Sequence, residues 1–181
     1  LETKVYDGPW TDISEDLETI NGLLRWSRQG EASSTGLSLM FYDAEWNSAD
    51  QIPLRAVEQG LIGPFGSLDT DVGGTSRRAS LSGYFRWSEG GVDQSISAYV
   101  IQYRMQLWSN FTYLLDNPES GDQFEQLDDR VIYGGEWTRD WGGNGGDGHL
   151  HHRLGVQLRH DVIDDVGLFN TVERERIDSV R

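Results

Sequence analysis

Seven stretches of this chain alternate apolar and polar residues with a period of two, and that period restricts its fold more than any other feature. Residues 19–27 set Ile20, Gly22, Leu24 and Trp26 against Asn21, Leu23 and Arg25. In 33–46, Leu37, Leu39 and Phe41 are in phase. Residues 75–87 set Ala79, Leu81, Gly83, Phe85 and Trp87 against Ser80, Ser82, Tyr84 and Arg86. In 93–108, Tyr99, Ile101, Tyr103, Met105 and Leu107 oppose Gln94, Ala98, Gln102, Arg104 and Gln106, with Ile96 and Val100 as apolar exceptions. Residues 127–139 set Val131, Tyr133, Gly135 and Trp137 against Arg130, Gly134, Glu136 and Thr138. Residues 149–160 set Leu150, Leu154, Val156 and Leu158 against Arg153, Gly155, Gln157 and Arg159, and a last segment begins near 173. Alternation of this kind predicts β-strands, and the helical period fits none of the seven.

Length then separates a barrel from a sandwich. Strands of soluble proteins cluster near 5 or 6 residues, whereas membrane-spanning strands need about ten. The predicted connections cover 28–32, 47–74, 88–92, 109–126, 140–148 and 161–172, so short and long ones alternate. An up-and-down barrel with tight turns at one rim and long loops at the other has this rhythm. The fold expected is therefore all-β: part of an antiparallel, up-and-down transmembrane β-barrel, with about seven strands, of which the second, fourth and sixth run outward.

Composition agrees. Gly makes up 22 of 181 residues, and aromatics reach 11%, so the chain is glycine-rich yet not of disordered composition. No run of 18 apolar residues predicts a transmembrane helix. The net charge of −15 argues against polynucleotide binding, which needs concentrated positive charge. With no Cys, disulfides, thiolate metal sites and thiol nucleophiles are excluded. The first residues, LETKVYDG, show no export signal, so the chain is expected to be a processed or internal piece.

The polar faces fit a barrel too. Arg25, Arg86, Arg104, Arg130, Glu136, Arg153 and Arg159 fall opposite the apolar stripe, where a watery or plugged lumen would take them. Trp26, Trp46, Trp87, Trp108, Trp137 and Trp141 each sit at or just past the C-terminal end of a predicted strand, as an aromatic girdle requires, although Trp108 has lumen parity.

Several segments, in order, resemble the barrel of a TonB-dependent outer-membrane receptor: YDGPW at 6–10, DQIPLRAVEQGLI at 50–62, FGSLDTDVGG at 65–74, SNFTYLLDNPESGDQFEQ at 109–126, DRVIYGG at 129–135 and LGVQLRHDVIDDVGL at 154–168. The resemblance covers nearly the whole chain. It implies a barrel of about 22 strands with a plugged lumen. Such a barrel imports a scarce nutrient of siderophore, cobalamin or saccharide type across the bacterial outer membrane, with energy transmitted through TonB. The chain carries no energy-coupling box, no plug domain, no aromatic C-terminal strand and too few strands, so residues 1–181 are expected to be an internal segment of the barrel. The implied partners are outer-membrane lipid, the plug domain, the remaining strands, TonB and a small-molecule nutrient. Neither an enzymatic activity nor a cofactor is expected. A passive porin-like barrel and a soluble β-rich saccharide-binding module are the alternatives.

Smaller motifs carry less. GGNGGDG at 142–148 contains GxGxxG, but a strand rather than a helix follows, so a flexible turn is expected in place of a dinucleotide site. His149 and His151 share a face next to His152, but spacing identifies no third ligand, and no metal site is assigned. The acids of DTD at 69–71 and DD at 164–165 read as solvated loop residues, since no EF-hand pattern surrounds them. The acceptor pattern Asn110-Phe111-Thr112 has no role in a bacterial outer membrane. Pro53 and Gly60 bracket the one predicted helix. Loops on a rigid scaffold are where recognition tends to sit. Arg55 and Phe65 in 47–74, with Phe111, Tyr113 and Phe124 in 109–126, are therefore the ligand-binding candidates: aromatic faces for a sugar or planar chelate, a guanidinium for a carboxylate.

Overall fold

The computed structural model describes residues 1–8, 11–48, 50–145 and 148–180, without the side chains of 143–149. Eight strands follow in chain order: β1 Glu2–Tyr6, β2 Leu17–Gln29, β3 Ser33–Asn47, β4 Gly73–Glu89, β5 Val92–Ser109, β6 Phe124–Gly145, β7 Gly148–Val172 and β8 Glu175–Val180. One short helix, α1 Leu54–Glu58, lies between β3 and β4. Every strand pairs antiparallel with its sequence neighbour, giving one open eight-stranded sheet in the order β1 to β8.

The fold departs from the sequence reading at the ends and in the last hairpins. Five residues too short to display a period form β1. The predicted connection at 140–148 is mostly strand; its Gly146 and Asp147, and the His149 side chain, lie outside the described residues. The predicted long loop at 161–172 is strand as well, because β7 runs unbroken to Val172. Its alternation is interrupted by a β-bulge: Asp129 pairs with Asp165 and Arg130 with Ile163, leaving Asp164 as the extra residue. A two-residue turn at Glu173 and Arg174 follows, so the rhythm of short and long connections ends there.

Register corrects the phase of β5. The two-residue loop Gly90-Gly91, with φ of +58° and +78°, is a tight hairpin loop and pairs Glu89 with Val92. From there the ladder places Leu81 opposite Val100 and Phe85 opposite Ile96. One row thus runs Leu24, Leu39, Leu81, Val100, Tyr133, His160 across six strands, and the next runs Trp26, Leu37, Gly83, Ala98, Gly135, Leu158. The apolar exceptions Ile96 and Val100 are the members of the stripe. Tyr99, Ile101, Tyr103 and Met105 lie on the other face, beside Ser82, Ser80, Arg78 and Ser76. Arg104 consequently shares the face of Val100, opposite Arg86, Arg130, Arg153 and Arg159, and the expectation of one common face fails for it.

Exposure in β5 marks the Ser/Tyr face as the concave side of the sheet. With no second layer, only a concave surface lets side chains shade one another. In β5, Ser95, Ser97, Tyr99, Ile101, Tyr103 and Met105 are half-buried, whereas Ile96, Ala98, Gln102 and Arg104 are exposed and Val100 is half-buried. Glycines make room for aromatic rings on both sides: a Cβ on Gly134 would meet the Tyr99 ring at 2.2 Å on the concave one, and a Cβ on Gly22 the Phe41 ring at 2.2 Å on the convex one. The convex side carries the apolar stripe uncovered, with Leu24 68% and Leu158 72% exposed. Among the described residues the buried apolar side chains are Ala44, Ala56, Val72, Tyr113 and Leu127, all in the half of the molecule that carries the long connections.

Candidate functional site

The convex stripe has sharp borders. Toward the long connections it ends at the row Ile20, Asp43, Arg77, Arg104, Asp129, Asp165. Arg77 pairs there with Asp43 at 3.1 Å and Arg104 with Asp129 at 3.6 Å. Toward the short turns it ends in aromatic rings: Trp26, Trp87, Trp137 and Trp141 share the convex face, Phe85 stacks on Trp87 at 5.2 Å, and His152 on Trp141 at 5.3 Å. Trp46 and Trp108 sit at the opposite end of their strands. The six tryptophans therefore do not form a single girdle.

On the concave wall, Arg130 bonds Asp128 at 2.5 and 2.7 Å and reaches Asp161 at 3.6 Å. Arg159 pairs with the same Asp161 at 2.7 Å, and Arg153 pairs with Asp140 at 2.8 Å. His151 approaches Asp140 at 3.7 Å.

The connections at 48–72 and 110–123 are held to each other by side chains that composition alone does not single out. Asp69 accepts from Asn110 Nδ2 at 2.7 Å and from Gln123 Nε2 at 3.0 Å, so it is a hub between two connections and no solvated acid. The Asn110 N–H donates to Asp50 at 2.9 Å. Gln123 Oε1 accepts from the Thr171 hydroxyl at 2.8 Å and the Arg174 N–H at 2.9 Å, which ties the β7–β8 turn to the same hub. Asn110, Gln123 and Thr171 are buried, and their polar groups are matched as burial demands.

The helix is built as its sequence predicts. Pro53 precedes it, and Gly60 ends it at φ +71°. Gly60 N–H donates to Val57 and Leu61 N–H to Ala56, the paired bonds of a Schellman motif. That motif turns Leu61 back over Ala56. Together with Leu68 and Leu115 they wall a cleft of about 220 Å³, with Arg55 and Tyr113 also lining it.

Two of the ligand-binding candidates thus meet at this cleft. Tyr113 is largely occupied by packing: it is buried, its hydroxyl donates to the Gln51 carbonyl, and its N–H donates to Asn110 Oδ1 at 2.8 Å. Burial, and then the charges of Asp50 and Asp69, push its phenol above the ordinary value. Phe111 and Phe124 form a second pair, with ring centroids 5.6 Å apart. Phe65 is exposed and shares neither contact; its carbonyl accepts the Asp12 N–H at 2.9 Å.

Asp122 organises the far end of the second connection. Its carboxylate accepts the N–H groups of Leu115 (2.8 Å), Asp116 (3.1 Å) and Asn117 (2.7 Å) and the Asn117 side-chain amide (3.0 Å). Burial alone would raise its pKa, but the donors from Asp116, Thr112 and Asn117 outweigh burial and hold it at about 2. A folded-state value below the unfolded one stabilises the loop above about pH 4, and that stabilisation is lost as pH falls through 2. Asp122→Ala should therefore speed hydrogen exchange at Leu115 and Asn117 at pH 7 by more than tenfold, and the wild type should approach the variant near pH 2. Equal protection of the two proteins at pH 7 would contradict this role.

No protein-family model, curated protein or solved structure matches this chain.

Proposed function

We propose that the chain is part of an outer-membrane β-barrel belonging to an energy-coupled nutrient-uptake receptor. One observation carries the membrane reading: the apolar convex stripe with an ion-paired border on one side and an indole border on the other. In β6 that stripe extends from Val131 to Trp141 on one side of the strand, with Arg139 inside its indole border, where the guanidinium lies over the Trp141 ring at 5.8 Å. At about 3.3 Å per residue and a tilt near 40°, it is about 25 Å tall, the height of a barrel's lipid-facing band. An apolar face on a single-layer sheet needs a cover, because a sheet must bury its hydrophobic face. Lipid covers it here, and strands outside this sheet would complete the ladder at β1 and β8.

The step from barrel to uptake receptor is supported by the ordered sequence resemblance and by the bonded connections at one rim, which suit a rim that meets ligand. On this reading the rim of 48–72 and 110–123 is extracellular, the concave wall faces the lumen and the cleft beside Arg55 is a recognition surface. Fractionation of the host cell tests the first step: the protein should be recovered from the outer membrane only with detergent. Recovery in the soluble fraction would overturn the reading in favour of a saccharide-binding module. Planar-bilayer recording tests the second step, since a plugged receptor passes no steady current and a passive porin does.

A further inference from the structure

Fourteen of the fifteen basic residues in this acidic chain are arginine, the side chain whose planar fork of donors matches carboxylate and phosphate. Arg25, Arg78, Arg86, Arg130, Arg153 and Arg159 all lie on the concave face. Arg130, Arg153 and Arg159 are neutralised by aspartates on that wall. Among the described residues, Arg25, Arg78 and Arg86 have no carboxylate within ion-pair distance.

Arg86 differs from the other two in what surrounds it. Register places Ser34, Arg86, Ser95 and Thr138 in one row across β3, β4, β5 and β6, with neighbouring strands about 4.8 Å apart. The Ser95 and Thr138 hydroxyls lie 2.7 Å from each other. These four residues, with Asp140 and Arg153, border a concavity of about 560 Å³. The Arg86 guanidinium lies over the Tyr84 ring at 4.6 Å, which orients it through its face and leaves its edge N–H groups directed outward. Of the acids that border it, Asp93 accepts from Ser88 at 2.5 Å and Asp140 pairs with Arg153, while Glu31 has no bonded partner among the described residues. Glu136, bordering the adjoining hollow with Tyr84 and Ser97, has none among the described residues and can accept a hydroxyl.

We infer that this row binds the oxyanion of a small hydroxylated acid, with Arg86 as the charged anchor, Ser34 and whichever hydroxyl of the Ser95–Thr138 pair keeps its proton free as donors, and Glu136 as acceptor for the solute's own hydroxyls. The inference rests on the register of β3 to β6 and not on the membrane placement, so it stands or falls separately from the proposed function.

Titration calorimetry on the protein as its host makes it, in detergent micelles, tests it with citrate and inorganic phosphate as probes and glucose as the uncharged control. Citrate or phosphate should bind, more weakly as salt rises, and glucose should not. Arg86→Gln should weaken that binding at least about tenfold, while Arg86→Lys, which keeps the charge and loses the fork, falls between. Arg77→Gln, on the convex face, should leave it unchanged. Binding of citrate alone would assign a carboxylate, and of phosphate alone a phosphate. Absence of heat with both probes, equal binding of glucose, or an Arg86→Gln protein that folds and binds as the wild type does would each overturn the inference.

Discussion

Val100→Arg should cost the assembled protein about 2 to 4 kcal/mol, whereas Ile101→Arg, one residue along the same strand, should cost about 1 kcal/mol or less. Val100 stands in the middle of the convex stripe between Leu81 and Tyr133. With the stripe against lipid, as proposed, a guanidinium there would have no water and no carboxylate to meet, since the nearest border row is that of Arg104 and Asp129. Ile101 stands on the concave wall between Ser80 and Ile132, in the row that continues to the salt-bridged Asp161, where a cation finds anions within reach. Urea titration of the protein folded into lipid vesicles measures both costs. The comparison is sharp because parity read from apolar content alone, which favours the odd-numbered residues of β5, demands the opposite ranking.

The second large effect lies at the last hairpin. Glu125 is 1% exposed and is held by Arg176 at 2.6 Å and by Gln106 at 3.0 Å. Arg176 also reaches Asp165 at 3.6 Å and lies 3.9 Å from the centre of the Phe169 ring. It therefore clasps β8 to β6 across β7. Arg176→Ala should destabilise by about 3 to 5 kcal/mol, because it strands a buried carboxylate with one amide for a partner. Adding Glu125→Gln removes the stranded charge, so the double variant should be more stable than Arg176→Ala alone. A double variant as unstable as the sum of both losses would mean that the pair is not coupled.

What could be read from the sequence followed from how local each determinant is. The central strands were legible because Leu37, Leu39, Leu81 and Phe85 alternate cleanly and are bounded by glycine turns. Apolar content points to the wrong phase for β5, because Tyr99, Ile101, Tyr103 and Met105 outnumber Ile96 and Val100. The correcting signal lay in the chain: Gly90-Gly91 as a two-residue loop pairs Glu89 with Val92 and so dictates every partner along both strands.

The far end of β7 was illegible for a different reason. A bulge at Asp164 inverts the alternation halfway, so one strand reads as a strand followed by a loop. The turn after it has no glycine: Glu173 and Arg174 adopt φ of +50° and +65°, which ordinary residues avoid. Arg174 is kept there by its bonds to Gln123 and to the Asp71 carbonyl (2.6 Å) and by its stacking over Trp108 at 4.9 Å. All three partners are distant in sequence, so no local pattern could announce the turn. The hub at Asp69, Asn110 and Gln123 was hidden in the same way. Of the ligand-binding candidates, Arg55 and Tyr113 were placed together by a helix whose proline and glycine were visible, while the burial of Tyr113 depended on contacts with Gln51 and Asn110 that spacing does not encode.

The central claim is that the convex face meets lipid, and the absence of cysteine from these 181 residues makes it directly measurable, since a single cysteine introduced into them is unique among them. Spin labels placed one at a time from residue 95 to 102, in the protein assembled in lipid bilayers, report their exposure to oxygen, which concentrates in the bilayer, and to a water-soluble nickel chelate. The account predicts a period of two, with oxygen exposure highest at Ile96, Ala98, Val100 and Gln102 and chelate exposure highest at the residues between them. Oxygen exposure peaking at Ser97, Tyr99 and Ile101, or no alternation at all, would contradict it.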